Sequence, residues 1–203
     1  MVETILFVEG GGDSKTLRTA CRRGFKEFLA KAGLHGRQPR IVAAGARHAA
    51  FDNFRTALQQ GKSAMLLVDS EEQFNAGSVW EHLAQRPGDG WKRPDNAAED
   101  SCHLMVQCME SWLLTDRATL TAFFGQGFNM RALPAEGRPI EDVAKATIYD
   151  ALKHATKDCK TKLPYGKGEH SFLLLARIDP QKTVAAAPTA AAFVEAVKST
   201  MAR

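Results

Sequence analysis

Apolar residues along this chain fall into short unbroken runs separated by longer amphipathic stretches. Residues 3–9 contain Ile5-Leu6-Phe7-Val8 and stop at Glu9, and residues 64–69 contain Met65-Leu66-Leu67-Val68 and stop at Asp69. A run that is apolar at every position is the pattern of a strand buried on both faces, as in a parallel sheet. Residues 14–32 carry apolar positions at helical spacing, with Asp13 as the expected cap. Residues 40–44 give a short second strand, and residues 48–60 a helix with Phe51, Phe54 and Leu58 on one face. A brief helix over 78–85 presents Val79 and Leu83. The order strand, helix, strand, helix, strand predicts an α/β fold with a parallel sheet and right-handed crossovers.

Beyond residue 85 the pattern changes. Residues 86–96 are turn chemistry throughout, with Trp91 set between basic residues. They read as a plain connector or as a loop covering a substrate groove. A fourth strand is expected over 103–107, followed by helix through Phe124. The signal loosens around Pro134, Gly137 and Pro139, and helices return over 141–155, 169–177 and 190–201. Residues 184–188 read as an alanine-rich linker, and no internal repeat is present. This divides the chain into an α/β core over 1–124 and a helical C-terminal extension over 125–203 packed on it.

In a parallel sheet, ligands gather at the carboxyl ends of the strands. Glu9 and Asp69 stand there, and in an extended segment Glu71 points the same way as Asp69 while Glu72 faces elsewhere. Three converging carboxylates need a counter-cation, and hard oxygen ligands favour a divalent one, Mg2+ or Mn2+. The plainer alternatives are a solvated Glu9 and an Asp69 that caps a following helix.

Composition narrows the partners. Nine Lys/Arg against four Asp/Glu in residues 1–50 concentrate positive charge there, although the whole chain carries only +4. Lys15, Arg18, Arg22 and Lys26 form one stripe of the first helix, away from Leu17, Cys21, Phe25 and Phe28. Lys153, Lys157, Lys160, Lys162 and Lys167 form a second cluster. Either is a solvated face, or together they point to a polyanion such as DNA or RNA. No apolar run approaches the ~20 residues of a membrane span and no secretion signal is seen, so a cytoplasmic protein is expected. Cys21, Cys102, Cys108 and Cys159 lack the spacing of a zinc knuckle or disulfide framework. They read as reduced thiols, and His154 and His170 as surface residues.

The glycines Gly10-Gly11-Gly12, followed by Asp13, permit a tight turn and close approach by a ligand. They do not make a nucleotide loop. A Walker sequence would need glycine in place of Glu9 and Ser14, and the dinucleotide fingerprint counted from Gly10 meets Lys15 at its third glycine.

Glu9-Gly10 with Asp13, and a later strand ending in Asp69-Ser70-Glu71, resemble the TOPRIM domain of topoisomerases, DnaG-type primases and OLD nucleases. Glu110-Ser111-Trp112-Leu113-Leu114-Thr115-Asp116, and Tyr165-Gly166-Lys167 ahead of residues 171–178, resemble the RloB-like branch of small bacterial proteins. That branch is often associated with ATPases in phage-defence or restriction-linked loci. The resemblance implies a Rossmann-like core with helices on both faces and magnesium-dependent cleavage of phosphodiester bonds. It also implies roles: Glu9 as general acid or base and metal ligand, Asp69 and Glu71 as metal ligands, Glu110 as a further acid, and Lys167 as a positive charge for the transition state. An ATPase is the implied protein partner, and the alternative to a nuclease is a non-catalytic module that binds nucleic acid or that ATPase. The chain departs from the common Asp-x-Asp in having Glu71 as its second acid. Glu110 and Trp112 have a structural alternative, bracing a helix start with the indole in the core.

Overall fold

Four strands hydrogen-bond in the order β2-β1-β3-β4, all parallel: β1 (Thr4–Val8), β2 (Arg40–Ala43), β3 (Ser63–Asp69) and β4 (Cys102–Met105). The computed structural model describes residues 3–202; Met1, Val2 and Arg203, the outer ends of the two expected units, lie outside the described residues. The expected parallel α/β fold is the one observed.

The period of two along a strand explains the layers. Leu6, Val8, Met65 and Leu67 face one core, and Ile5, Phe7, Leu66 and Val68 face the other. Helix α1 (Lys15–Leu29) covers the first face with Cys21, Phe25 and Phe28, while α2 (Arg47–Gln59) and α3 (Val79–Gln85) cover the second with Phe51, Phe54, Trp80 and Leu83. The chain passes from β1 to β2 on one side and then crosses back to β3 on the other. The sheet therefore reverses its winding between β1 and β3, which opens a crevice beyond their carboxyl ends.

Six further helices occupy the rest of the described residues: α4 (Glu110–Leu114), α5 (Arg117–Phe124), α6 (Lys145–Thr156), α7 (Lys167–Leu175), α8 (Pro180–Ala186) and α9 (Pro188–Ala202). They share the α1-side core with the sheet. Helix α7 lies along α1, where a Cβ on Gly24 would stand 2.9 Å from the carbonyl oxygen of Phe172. Helix α9 packs on β4. Trp112 is fully buried at the centre, stacked on Phe28 (5.2 Å) and Phe193 (6.0 Å) and edge-on to Phe25 (6.5 Å).

Three local expectations are corrected. The α1 cap is Ser14, whose Oγ accepts from the Leu17 N–H at 3.4 Å; Asp13 stays exposed and pairs with Arg18 at 3.6 Å. The expected linker at 184–188 is largely helix, because Pro180 occupies the first turn of α8 and Asp179 caps it. Helix α6 starts at Lys145, since residues Ile140–Asp142 form a separate 3-10 turn. No helix among the described residues is long and apolar enough to cross a membrane.

Trp112→Ala is expected to cost about 3–5 kcal/mol, the range for removing a large buried aromatic side chain. Urea denaturation followed by circular dichroism checks it; a loss below about 1 kcal/mol would contradict the central placement of the indole.

Candidate functional site

The strand register brings the three acids together. Val8 pairs with Leu67, and the Glu9 N–H continues the ladder to the Leu67 carbonyl at 3.0 Å. Glu9 therefore ends beside Asp69, whose N–H donates to Glu9 Oε2 at 3.2 Å. One carboxylate oxygen from each of Glu9, Asp69 and Glu71 lies within 4.8 Å of the others. Glu71 does not arrive by extended alternation. Its φ is +67°, in the left-handed region that a non-glycine residue rarely occupies, and its N–H is held by the Gln107 carbonyl at 2.9 Å. Such strain at a strand end persists only where the surroundings enforce it.

The glycine turn forms one wall. Gly10 and Gly45 exchange backbone hydrogen bonds of 3.0 Å in both directions, tying the loop after β1 to the loop after β2. A Cβ on Gly45 (φ +81°) would stand 2.6 Å from the Gly12 carbonyl oxygen, and one on Gly11 (φ +87°) 2.8 Å from the Arg18 backbone. Arg18 Nε donates to the Gly12 carbonyl at 2.8 Å. Glycines here allow close backbone packing. Beside them lies a cavity of about 350 Å³ bordered by Glu9, Gly10, Gly11, Gly12, Asp69, Glu110 and Lys167. Four acidic or basic residues singled out from the sequence thus border one space.

Two cations that sequence reasoning missed sit among the acids. Arg47 Nη1 donates to Glu9 Oε2 at 3.1 Å and to the Asp69 carbonyl, while Nε and Nη2 fork onto Asp89 at 2.9 and 2.7 Å. The guanidinium lies 4.9 Å from the ring of Trp91, itself stacked on Phe51 at 4.4 Å. The 86–96 loop is therefore pinned to α2 and serves the site through Asp89. None of its residues lines the cavity beside the glycine turn. Lys145, at the start of α6, places its Nζ 2.7 Å from both oxygens of Glu71 and 3.3 Å from Asp69 Oδ2. A lone Lys seventy-odd residues from its partners carries no local signal. Arg47 could have been suspected, since it opens the helix after β2.

These cations do not balance the cluster. Burial and the neighbouring Glu9 charge raise the Asp69 pKa to about 7, with Lys145 opposing them. Burial pulls the Lys145 ammonium down, but Asp69 and Glu71 outweigh it and hold it above its ordinary value. The Asp69 shift reflects burial first and the like charge of Glu9 second, at a group of three hard oxygen donors. Such a donor set fits Mg2+ or Mn2+, which Glu9, Asp69 and Glu71 would hold.

Glu110 is fully buried, with Tyr149 Oη donating to Oε2 at 2.9 Å and Tyr165 Oη and Ser171 Oγ donating to Oε1 at 3.1 Å each. Burial and the Glu110 charge push both phenol pKa values up. Glu110 thus reaches the cavity wall but is caged by hydroxyls, and Trp112 belongs to the core. Lys167 is exposed at the rim, its Nζ 5.3 Å from the Tyr149 ring. His154 is exposed as expected, but His170 is buried, its Nδ1 accepting from the Gly166 N–H at 3.0 Å.

The basic stripe is spread along α1. Lys15 and Arg18 stand at the cavity end, whereas Arg22 and Lys26 line a groove with Arg23 and Arg40 at the opposite end of the sheet, beside Thr4 and Ser63. Arg18 is engaged by the glycine turn rather than free for a ligand. Lys160 and Lys162 lie between α6 and α7, outside the cavity wall; Lys162 Nζ stands 4.8 Å from the Phe123 ring.

Because the Asp69 pKa is higher folded than unfolded, the folded protein binds the extra proton between about pH 4 and pH 7. Its contribution to stability therefore declines as pH rises through that window, and the whole penalty stands above pH 7. In metal-free buffer, the stability of the wild type minus that of Asp69→Asn should fall from pH 4 to pH 7 and then level. Added Mg2+ should raise the melting temperature more at pH 8 than at pH 5. A pH-independent difference between the two proteins would contradict this assignment of charge.

Comparison with known proteins gives one match. No curated protein and no solved structure matches the chain. A family model described as a domain of unknown function (DUF4276) matches residues 8–198. That match runs from the end of β1 into α9 and takes in the carboxylates, Arg47, Lys145 and Lys167, so the chain belongs to the DUF4276 family.

Proposed function

We propose that this protein is a magnesium-dependent, TOPRIM-like nuclease that hydrolyses phosphodiester bonds in DNA or RNA. The observation that carries the reading is the meeting of Glu9, Asp69 and Glu71 oxygens within 4.8 Å at the β1/β3 switch point, beside a cavity rimmed by Lys167. A bound divalent cation would screen phosphate charge and lower the pKa of an attacking water. The chain's own groups divide the remaining work. Arg47 and the Asp69 N–H hold Glu9 Oε2, and no hydrogen bond among the described residues falls on Oε1, which is left to act as general base or ligand. Lys167 provides a cation for the phosphoryl oxygens from the rim. The glycine wall lets a phosphate backbone approach without side chains in the way.

Glu110 acts in this reading by position. Its cage of three hydroxyls fixes the floor of the cavity, and its charge adds to the field on Asp69. Lys15 at the cavity end, and Arg22 and Lys26 farther along α1, would grip phosphates without reading bases. The cytoplasm and a phage-defence or restriction-linked setting with an ATPase partner complete the proposal.

One observation favours a second reading. Lys145 stands among the acids as a permanent cation could, as expected of a non-catalytic module that binds nucleic acid or an ATPase. The two readings separate in one assay. The nuclease reading expects cleavage of DNA or RNA with Mg2+ or Mn2+, abolished by EDTA and by Asp69→Ala, and about 100-fold or more slower in Glu9→Gln. Absence of cleavage with every metal, with nucleic-acid binding intact in Asp69→Ala, would leave only the module.

Binding gives an independent check. The double change Arg22→Glu with Lys26→Glu should weaken nucleic-acid affinity for all sequences alike and flatten its dependence on log salt. Fluorescence anisotropy at several salt concentrations measures both; an unchanged slope would remove Arg22 and Lys26 from the interface.

A further inference from the structure

We infer that Lys145 is the resident counter-ion of the carboxylate cluster and that a divalent cation enters by displacing its ammonium from Glu71 and Asp69. This rests on the metal-dependent reading above and adds a competition that the resemblance does not contain.

The oxygen contacts support the exchange. Both Glu71 oxygens accept from Lys145 Nζ at 2.7 Å. Asp69 Oδ1 accepts from the Met109 N–H at 2.8 Å, so only Oδ2 faces the cluster, and Lys145 Nζ is 3.3 Å from it. Lys145 Nζ thus stands between Glu71 and Asp69 Oδ2, the position a cation shared by them would take. Charge favours the same result, since exchanging Lys145 for a divalent ion adds less net positive charge to the cluster than adding the ion with Lys145 in place.

Of the two cations, only Lys145 is built to leave. Arg47 is locked by its fork onto Asp89 and by Trp91, with 11% of its side chain exposed. Lys145 has a flexible four-carbon stem, 22% exposure and, among the described residues, side-chain hydrogen bonds to the two acids alone. Its backbone N–H is anchored by Gln107 Oε1 at 3.2 Å, so the side chain can swing while α6 stays fixed. Tyr149, one turn along α6, keeps Glu110 in place meanwhile. The released ammonium then joins Lys167 as a positive group for an anionic substrate.

The test measures Mn2+ binding by the loss of the free-ion electron paramagnetic resonance signal in wild type, Lys145→Met and Lys145→Gln. Removing the competitor should tighten Mn2+ binding by about tenfold or more in both variants. Their melting temperatures should fall without metal and recover with it. Unchanged or weaker binding in variants that still melt cooperatively overturns the inference. Should both variants fail to fold, wild-type crystals soaked in Mn2+ decide: the ion with Lys145 Nζ withdrawn from Glu71 supports it, and the ion beside an intact Lys145–Glu71 pair overturns it while leaving the metal-dependent reading standing. No Mn2+ bound in wild type or variants removes both.

Discussion

The structure depends on how three carboxylates at one edge of a parallel sheet are kept together. Glu9, Asp69 and Glu71 are brought within 4.8 Å by strand register and one strained residue, and Asp69 is almost wholly removed from water. Uncompensated, such a cluster would drive itself apart or take up protons. The surrounding elements supply that compensation: α2 through Arg47, α6 through Lys145, and the backbone N–H groups of Asp69 and Met109. Burial and the Glu9 charge, only partly offset by Lys145, leave the Asp69 pKa raised.

The supports differ in stiffness. Arg47 is part of a packed unit, in which Asp89 and Trp91 from the loop after α3 hold the guanidinium over Glu9. Asp89 itself is shared with Arg86 at 3.0 Å, and its carboxyl is held below its ordinary pKa by these two partners despite burial. Lys145 is a single flexible arm from another part of the chain. A cation packed against Asp89 and Trp91 thus meets the acid that ends β1, and a more exposed one meets the acids at and beyond the end of β3.

The C-terminal helices complete the site as well as the core. Helix α6 carries both Lys145 and Tyr149, and α7 carries Lys167 and Ser171. The acids from the strands are therefore bounded by groups from residues 145–171. The apolar core around Trp112, continuous from the sheet to α9, holds these helices in register with the strand ends.

Much of this was legible along the chain. Unbroken apolar runs over β1 and β3 cannot be satisfied with one face in water, so a sheet covered on both sides follows from them. Acids at the ends of such runs mark a site, because parallel strands share their carboxyl edge. Local chemistry near helix ends was less legible: Asp13 and Ser14 can both cap, and backbone geometry selects Ser14. Alanine and proline at 184–188 carry no apolar period, so α8 was concealed. Lys145 was beyond reach, and Arg47 was marked only by opening the helix after β2, for a counter-ion is chosen by distance in space and desolvation, neither of which leaves a spacing in sequence. The chain by itself determined the layered sheet and the edge where its acids meet. Tertiary packing alone decided which cations meet them and how far their charge is cancelled, since that balance is struck between segments 22 to 76 residues apart.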